Sequence, residues 1–175
     1  MSYVWEQRKL STLARFAKGS GFSKSDFTIE GKSIILYGRM YTNYETVIKN
    51  VDTYVNGNSE GIYSMGNEVI VPASGETAED ISRASVVRRP GIILGGDINI
   101  IYPNEKIDSE FLALTISNGQ QKAEMIKRAQ GASIVHLHNN DLKQIKLIFP
   151  RKSEQQKISL LISNIEETIA HHQRY

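Results

Sequence analysis

The pattern that most constrains the fold lies at the C-terminal end of the sequence. Ser153 followed by Gln156 matches a helical capping box and predicts a helix that begins at Ser153. Apolar residues then recur every three or four positions, at Ile158, Leu161, Ile162, Ile165 and Ile169. This spacing is typical of a short coiled-coil seam. The apolar face needs a partner, and the pattern leaves two open: the chain's own core or a second helix.

Short apolar runs separated by turn residues occupy the region before this helix. Runs at 33–37, 68–73, 84–87, 92–94 and 98–102 have the length and composition of buried strands. Residues 47–51 fit a short helix or a strand, and 78–81 fit a single helical turn. Strands at this spacing predict a curved, mainly antiparallel sheet.

The pattern changes to helical spacing after Pro103. Asp108 or Ser109 is a candidate cap for a helix that Gly119 ends or kinks, and helical spacing continues to Gly131. A short strand at 134–138 and another at 142–149 follow, and His136 and His138 would share one face of the first. The predicted fold class is therefore α+β, with a mixed α/β domain over 1–150 and a coiled-coil-forming helix over 151–175.

Composition excludes several kinds of chemistry. The chain contains no cysteine, which rules out disulfides, thiolate metal sites and a cysteine nucleophile. It has no apolar stretch of the roughly 20 residues needed to span a bilayer, and its first residues lack a signal-peptide core. We therefore expect a soluble cytoplasmic protein with no membrane partner.

Charge is unevenly distributed along the chain. The formal net charge is +2, but residues 1–40 and 120–175 each carry +4 and residues 41–119 carry −6. The basic ends would form one positive face if the fold brings them together. Such blocks raise the probability of a nucleic-acid partner only slightly.

Catalytic motifs receive little support. His136 and His138 could bind a metal, but no third ligand stands at a convincing spacing. The segment at 74–77 lacks the G-x-S-x-G arrangement of a serine hydrolase, and no glycine-rich nucleotide motif occurs. We therefore expect no metal and no cofactor. The polar loops at 20–25, 39–44, 74–77, 83–89 and 132–140 suit duplex DNA, although loops are commonly polar.

The order of several short motifs resembles the specificity (S) subunit of type I restriction–modification systems. The matching segments are WEQRKL at 5–10, LYGRMY at 36–41, VPASGET at 71–77, GGDI at 95–98, AQGASIV at 129–135, LKQI at 142–145, Pro150 and EQQKI at 154–158. Each segment is weak alone, but their shared order spans nearly the whole chain. The sequence resembles one target recognition domain followed by the start of a conserved spacer helix.

This resemblance implies a noncatalytic subunit that reads DNA. In the family, two recognition domains alternate with two long helices that form an antiparallel coiled coil, and each domain reads one half of a bipartite target. The helices dock methyltransferase (M) subunits, and the restriction (R) subunit joins that assembly. Through its C-terminal helix this chain would pair with a second copy or a second recognition half. It would be a natural half-subunit or a fragment.

Residue assignments follow from the resemblance and the polar loops. The predicted DNA face comprises Lys24, Arg39, Tyr41, Asn43, Ser74, Thr77, Arg83, Lys127, Arg128, Ser133, His136 and His138. Phosphate contacts are expected mainly from Lys24, Arg83, Lys127 and Arg128, with Lys127 and Arg128 equally consistent with a solvated helix end. Base or groove contacts are expected mainly from Arg39, Tyr41, Asn43, Thr77 and His138. The alternatives are an assembly adaptor that acts through the helix with little DNA binding of its own and, less favoured, an independent enzyme.

Overall fold

The computed structural model describes residues 4–56 and 60–173. Its strands are β1 (Glu6–Lys9), β2 (Ala14–Lys18), β3 (Phe27–Thr28), β4 (Lys32–Ile35), β5 (Val47–Ile48), β6 (Tyr54–Val55), β7 (Ile62–Tyr63), β8 (Glu68–Pro72), β9 (Ser74–Gly75), β10 (Ser85–Val87), β11 (Ile93–Leu94), β12 (Ile98–Pro103), β13 (Val135–His136) and β14 (Lys146–Phe149). Its α-helices are α1 (Arg39–Thr42), α2 (Ala78–Ile81), α3 (Ser109–Ser117), α4 (Gly119–Arg128), α5 (Asn139–Leu142) and α6 (Lys152–His172). The predicted mixed α/β fold with a long C-terminal helix is confirmed.

Two five-stranded sheets form the body of the domain. One has the order β2-β12-β8-β10-β5 and the other has the order β3-β6-β4-β11-β7. The pairs β10–β5 and β11–β4 are parallel, and the other neighbours within these sheets are antiparallel. The strands predicted from apolar runs are thus present, but they divide between two sheets instead of forming one curved sheet.

The first sheet is covered on both faces, which explains why its central strands read as continuous apolar runs. On β8, Val69 and Val71 pack into one core cluster and Ile70 packs into the other. The same alternation places Ile101 of β12 in the first cluster and Ile100 in the second. Side chains of successive residues point to opposite faces, so one strand contributes to both cores.

Helix α3 covers one face of this sheet, and α4 packs against α3. The Asp108 carboxylate accepts a hydrogen bond from the backbone N–H of Phe111 at 2.9 Å, so Asp108 is the helix cap. Gly119 has a φ of 63°, which separates α3 from α4, as the sequence predicted. Leu112 and Ile116 are fully buried in the cluster beneath these helices. Truncating either to alanine would destabilise the fold by about 2–5 kcal/mol.

Two expectations from the sequence are corrected by the structure, which also contains one strand that the sequence analysis did not predict. Helix α6 begins at Lys152 with Arg151 as its N-cap residue and no side-chain capping bond, so Ser153 lies inside the first turn. Residues 142–149 do not form one strand, because Leu142 ends α5 and β14 begins only at Lys146. The segment at 6–9 pairs with β14 as β1, an assignment that its polar side chains do not indicate.

Helix α6 leaves the domain with much of its length exposed. Its first turns pack against α3, whereas the later turns carry solvent-exposed apolar side chains. The last two residues of the predicted helix, Arg174 and Tyr175, lie outside the described residues, as do residues 1–3 and 57–59. Within the described residues, no helix is long and apolar enough to cross a membrane.

Candidate nucleic-acid interface

A short two-stranded ladder organises one edge of the domain. Strands β9 and β13 pair antiparallel, with Ser74 opposite His136 and Gly75 opposite Val135. A Cβ atom on Gly75 would come within 2.6 Å of the Ile81 side chain, so a glycine lets α2 pack closely against this ladder. Ser74 is buried in the ladder, which places its side chain beneath the surface.

The loop before β13 projects from this edge. Gln130 and His136 exchange two backbone hydrogen bonds of 3.0 and 2.7 Å, which close the base of the loop. Gly131 has a φ of 144°, and a Cβ there would lie 1.9 Å from the carbonyl oxygen of Ile134. Ser133 and Ile134 are exposed at the tip. The loop therefore presents a small polar side chain and an apolar side chain on a defined backbone.

Two exposed histidines stand beside the loop. The imidazole rings of His136 and His138 are almost parallel, with 6.1 Å between centroids and an interplanar angle of 4°. The two residues share a face as predicted, but only His136 is on a strand, and His138 is the N-cap residue of α5. The backbone N–H of His138 donates to the Asp141 carboxylate at 2.9 Å, which fixes the start of α5.

Buried contacts hold the backbone between these histidines in place. Leu137 is fully buried, and its N–H donates to the carbonyl oxygen of Ala73 at 2.9 Å. The carbonyl oxygen of Leu137 accepts a 2.7 Å hydrogen bond from the side-chain amide of Asn99, which is itself fully buried. The histidine rings thus stand on a segment that is anchored to the first sheet.

Two lysines that the sequence analysis did not select are connected to the histidine segment through β2, β12 and α5. Lys18 pairs with Asn99 across β2 and β12, and the side chain of Asn99 binds Leu137 beside His138. Lys143 directly follows α5, and its ammonium group lies 5.8 Å from the centroid of the Phe16 ring on β2. The side-chain amide of Asn139 also joins α5 to β2 by donating to the carbonyl oxygen of Ala17 at 2.8 Å.

We define the His136 surface as Lys18, Ser133, His136, His138 and Lys143. No local motif marks the lysines as members of this group, because the two parts of the surface are separated by more than a hundred residues in sequence. Lys18 comes from the basic N-terminal block and Lys143 from the basic C-terminal block, the combination that the charge distribution allowed.

Helix α2 borders the ladder on another side. The Thr77 hydroxyl accepts a hydrogen bond from the backbone N–H of Asp80 at 3.1 Å and donates one to its carboxylate at 2.7 Å. Arg83 lies 4.0 Å from the Asp80 carboxylate, and its guanidinium carbon lies 5.6 Å from the centroid of the Tyr44 ring. Thr77 is thus exposed but engaged as a helix cap, and Arg83 is partly neutralised.

The turn of α1 presents an aromatic pair. The rings of Tyr37 and Tyr41 are tilted, with centroids 6.2 Å apart, and line an open groove of about 470 Å³ together with Asn43. Burial raises the pKa of the Tyr41 phenol, and the nearby Tyr37, Glu76 and Asp80 groups raise it further. Tyr41 therefore stays a neutral hydroxyl at physiological pH, able both to donate and to accept a hydrogen bond.

Arg39 points into a set of intramolecular contacts. One guanidinium nitrogen donates to the Glu45 carboxylate at 2.6 Å and to the carbonyl oxygen of Asn50 at 3.1 Å. The other terminal nitrogen lies 3.7 Å from Asp52, and the side chain is only 16% exposed. To contact a base, Arg39 would first have to break its contacts with Glu45, Asn50 and Asp52.

The remaining predicted phosphate contacts are dispersed. Lys127 is exposed beside a groove between α4 and the β1–β14 pair, and Arg128 bonds to Glu124 at 3.0 Å along α4. Lys24 is exposed on a 3-10 turn, Lys24–Asp26, before the second sheet. The structure thus brings Ser133, His136 and His138 together, with Ser74 beneath them, whereas Lys24 and Lys127 are on other elements.

The side chains predicted to pack on a partner helix differ in exposure. Ile158 packs against the core of the domain, and Ile162 is half-buried. Leu161, Ile165 and Ile169 are 60%, 47% and 52% exposed. These three residues continue the seam beyond the point where the domain supports it.

The described residues contain no group of three or more His, Asp or Glu side chains that could hold a metal ion. His136 and His138 have no third ligand beside them in this part of the chain. Chemically, the interface offers hydroxyl, imidazole and ammonium groups, which donate hydrogen bonds to phosphates and base edges.

Comparison with known proteins defines the class of this chain. Residues 4–175 match the family model described as the type I restriction modification DNA specificity domain, and the chain belongs to this family. The predicted resemblance is thereby confirmed. No curated protein matches the sequence.

Solved structures share the fold at low sequence identity. The S subunit of a type I restriction–modification system from M. genitalium has 17% identity and a TM-score of 0.69, and covers 97% of this chain. The HsdS subunit from Thermoanaerobacter tengcongensis has 13% identity and a TM-score of 0.68 over 97% of this chain. A chain from a structural study of complex assembly and conformational transition of the type I R-M system has 12% identity and a TM-score of 0.73 over 99%. This chain spans about 41%, 39% and 41% of their respective lengths.

Proposed function

We propose that this chain binds double-stranded DNA sequence-specifically, as one recognition half of a type I restriction–modification specificity subunit. The observation that carries the proposal is the His136 surface, where exposed hydrogen-bonding groups stand on a backbone held by buried contacts. A recognition surface needs this combination, because groups that are already ordered lose less conformational entropy on binding. Residues 1–150 form the recognition domain, and residues 151–175 begin the spacer helix.

Chemistry divides the proposed contacts into two kinds. The ammonium groups of Lys18 and Lys143 suit phosphates, which position a protein on the duplex without reading its sequence. The exposed Ser133, His136 and His138 suit base edges in a groove. Thr77, Arg83, Tyr41 and Asn43 would extend the contact along α2 and α1.

The proposed role is noncatalytic. Methyl transfer and cleavage would be carried out by M and R subunits, and this chain would supply the target sequence and a docking helix. The exposed seam on α6 would take a second helix, from a second recognition half or a second copy of the chain, before M subunits assemble. Such an assembly would act on DNA in the cytoplasm.

Selection from a random duplex library tests the proposal directly. We expect enrichment of a short common motif, followed by salt-dependent binding of that motif in gel-shift titrations. Lys18→Ala should weaken binding to all sequences and lower the salt slope by about 1, whereas His138→Ala should relax preference at one position. His171→Ala, on α6, is the matched histidine control and should leave preference unchanged.

A chain that binds no duplex, alone or with its methyltransferase partner, would contradict the proposal. The partner is included because an isolated half binds weakly if its affinity stays near non-specific values of about 10⁻⁴–10⁻⁶ M. Motif enrichment that survives both substitutions would also remove the His136 surface from the interface.

An assembly adaptor is the second candidate, and the exposed side chains of Leu161, Ile165 and Ile169 favour it. In this case the helix would supply the binding energy through burial of these side chains, and the domain would bind little DNA. Capture of the methyltransferase partner without motif enrichment, lost in Ile165→Asp, would support the adaptor over DNA recognition.

A further inference from the structure

The first turns of α6 pack on the domain through a buried polar side chain. Gln155 is 0% exposed although it lies on a helix whose neighbouring positions are largely exposed. Its side-chain oxygen accepts a 2.8 Å hydrogen bond from the backbone N–H of Asp108. Its side-chain nitrogen donates to the carbonyl oxygens of Lys106 at 2.9 Å and Pro150 at 2.8 Å. Both ends of the amide are therefore bonded.

Ser159 extends this contact by one helical turn. It is 4% exposed, and its hydroxyl lies 3.1 Å from the Asp108 carboxylate and 3.0 Å from the carbonyl oxygen of Gln155. The same carboxylate oxygen of Asp108 accepts the capping bond from Phe111 at the start of α3. One aspartate thus links the beginning of α3 to two successive turns of α6.

Beyond Ser159 the helix has little to hold its direction. Thr46 and Glu166 share one exposed hydrogen bond of 3.2 Å, next to an open groove of about 420 Å³ between residues 44–49 and the later turns of α6. Apolar packing at Ile158 is compatible with rotation and sliding, because the hydrophobic effect is non-directional. Hydrogen bonds are directional and fix register and angle.

We propose that Gln155, with Asp108 and Ser159, is a positioning residue that sets the angle at which the spacer helix leaves the recognition domain. The amide is held by two parts of the chain, the segment before α3 and the segment before α6, so rotation of the helix breaks bonds on both sides. Neither the capping-box pattern nor the apolar seam assigns Gln155 this role, since it belongs to neither the N-cap nor the seam.

The angle has a consequence that rests on the proposed function. In an assembly of two recognition halves joined through their helices, the direction of α6 determines how far apart and in what orientation the two His136 surfaces lie. Gln155 would thereby restrict the spacing between the two halves of the target. A looser angle would let one assembly accept targets of neighbouring spacings.

Distance measurement between two spin labels tests the angle without DNA. The chain has no cysteine, so Gln120→Cys on α4 and Asn164→Cys on α6 provide unique attachment sites, both exposed. Asn164 lies nine residues beyond Gln155, about 14 Å along the helix at 1.5 Å per residue. A tilt of about 20° would then displace the label by about 5 Å, a change that double electron–electron resonance detects.

The full-length chain carrying both labels should give one narrow distance distribution. Gln155→Ala should broaden or shift it by several ångströms, and Gln156→Ala should leave it unchanged because that neighbouring glutamine is exposed. Ser159→Ala is a milder change that should broaden the distance distribution partially, and it replaces Gln155→Ala as the test variant if Gln155→Ala does not fold. Circular dichroism confirms that each variant retains its helices. An unchanged narrow distribution in a folded Gln155→Ala or Ser159→Ala chain would overturn the proposal.

The spacing consequence is measured separately, with the methyltransferase partner and duplexes whose half-sites differ by single base pairs in separation. The assembly with the natural residue should prefer one spacing, and Gln155→Ala should reduce that preference without changing the half-site sequence. Loss of all duplex binding in the unsubstituted chain would count against the proposed function, while the label distances would still decide the role of Gln155. A changed angle with unchanged spacing preference would restrict that role to positioning the helix.

Discussion

Replacement of Arg39 by alanine tests whether this arginine contacts DNA or mainly stabilises the fold through intramolecular contacts. The sequence places this arginine on the DNA face, whereas its guanidinium group bonds to Glu45 and to the carbonyl oxygen of Asn50. If the internal contacts are its main role, the substitution should lower stability and leave base preference unchanged.

The expected loss follows from the individual contacts. The Glu45 carboxylate is 43% exposed and that of Asp52 is 89% exposed, so solvent screens both ion pairs and together they contribute about 1 kcal/mol. The hydrogen bond from the charged guanidinium to the Asn50 carbonyl adds about 1.5 kcal/mol. The total of about 2–3 kcal/mol corresponds to a decrease in Tm of about 5–10 °C for a chain of this size.

Urea and thermal unfolding followed by circular dichroism measure this loss. Arg89→Ala is the matched control, since Arg89 is exposed and its removal should change stability by less than about 0.5 kcal/mol. Duplex binding by Arg39→Ala is measured well below its Tm, where the folded population is complete. An unchanged Tm combined with lost preference at one base pair would refute the internal role and return Arg39 to the DNA interface.

Three further outcomes are expected. Hydrogen bonds from the backbone N–H and hydroxyl of Ser23 hold the pKa of Asp26 below its ordinary value, so the contribution of Asp26 to stability is present at neutral pH and is lost as the pH falls through the folded-state pKa. Ser23→Ala should raise this pKa partway in an NMR titration of the carboxyl carbon, and an unchanged titration would exclude the hydroxyl as a cause. Ile165→Asp should change the stability of the isolated chain by less than about 0.5 kcal/mol but abolish its helix-mediated association in sedimentation experiments, whereas a large drop in Tm would indicate packing within the chain. Gly131→Ala should distort the loop before β13 and weaken duplex binding, because its Cβ would meet the Ile134 carbonyl; wild-type affinity would show that this loop is not used.

Local patterns predicted the elements whose causes are themselves local. The Asp108 cap, the break at Gly119 and the single turn at 78–81 depend on residues within a few positions of one another. Apolar runs at 68–73 and 98–102 predicted buried strands because both faces of those strands are covered. Pairing between distant strands, such as β1 with β14, leaves no such local pattern.

The candidate interface was predicted only in part for the same reason. Ser133, His136 and His138 occur in one polar segment, so the sequence indicated them together. Lys18 is linked to that segment only through its pairing with Asn99, and Arg39 is held in internal contacts by Glu45 and Asn50. Charge and polarity identify side chains suited to DNA, but tertiary contacts decide which of them remain available.

The sequence by itself determined the family, the mixed α/β class and the presence of a long amphipathic helix after Pro150, because ordered motifs and periodic apolar positions are properties of the chain alone. Only the tertiary structure decided that most strands divide between two five-stranded sheets, that Lys18 pairs with Asn99, whose side chain binds the segment between the histidines, and that Gln155 and not Gln156 is buried against the domain. The physical reason is that buried polar groups must find hydrogen-bond partners, and here those partners come from segments that meet only when the chain is folded.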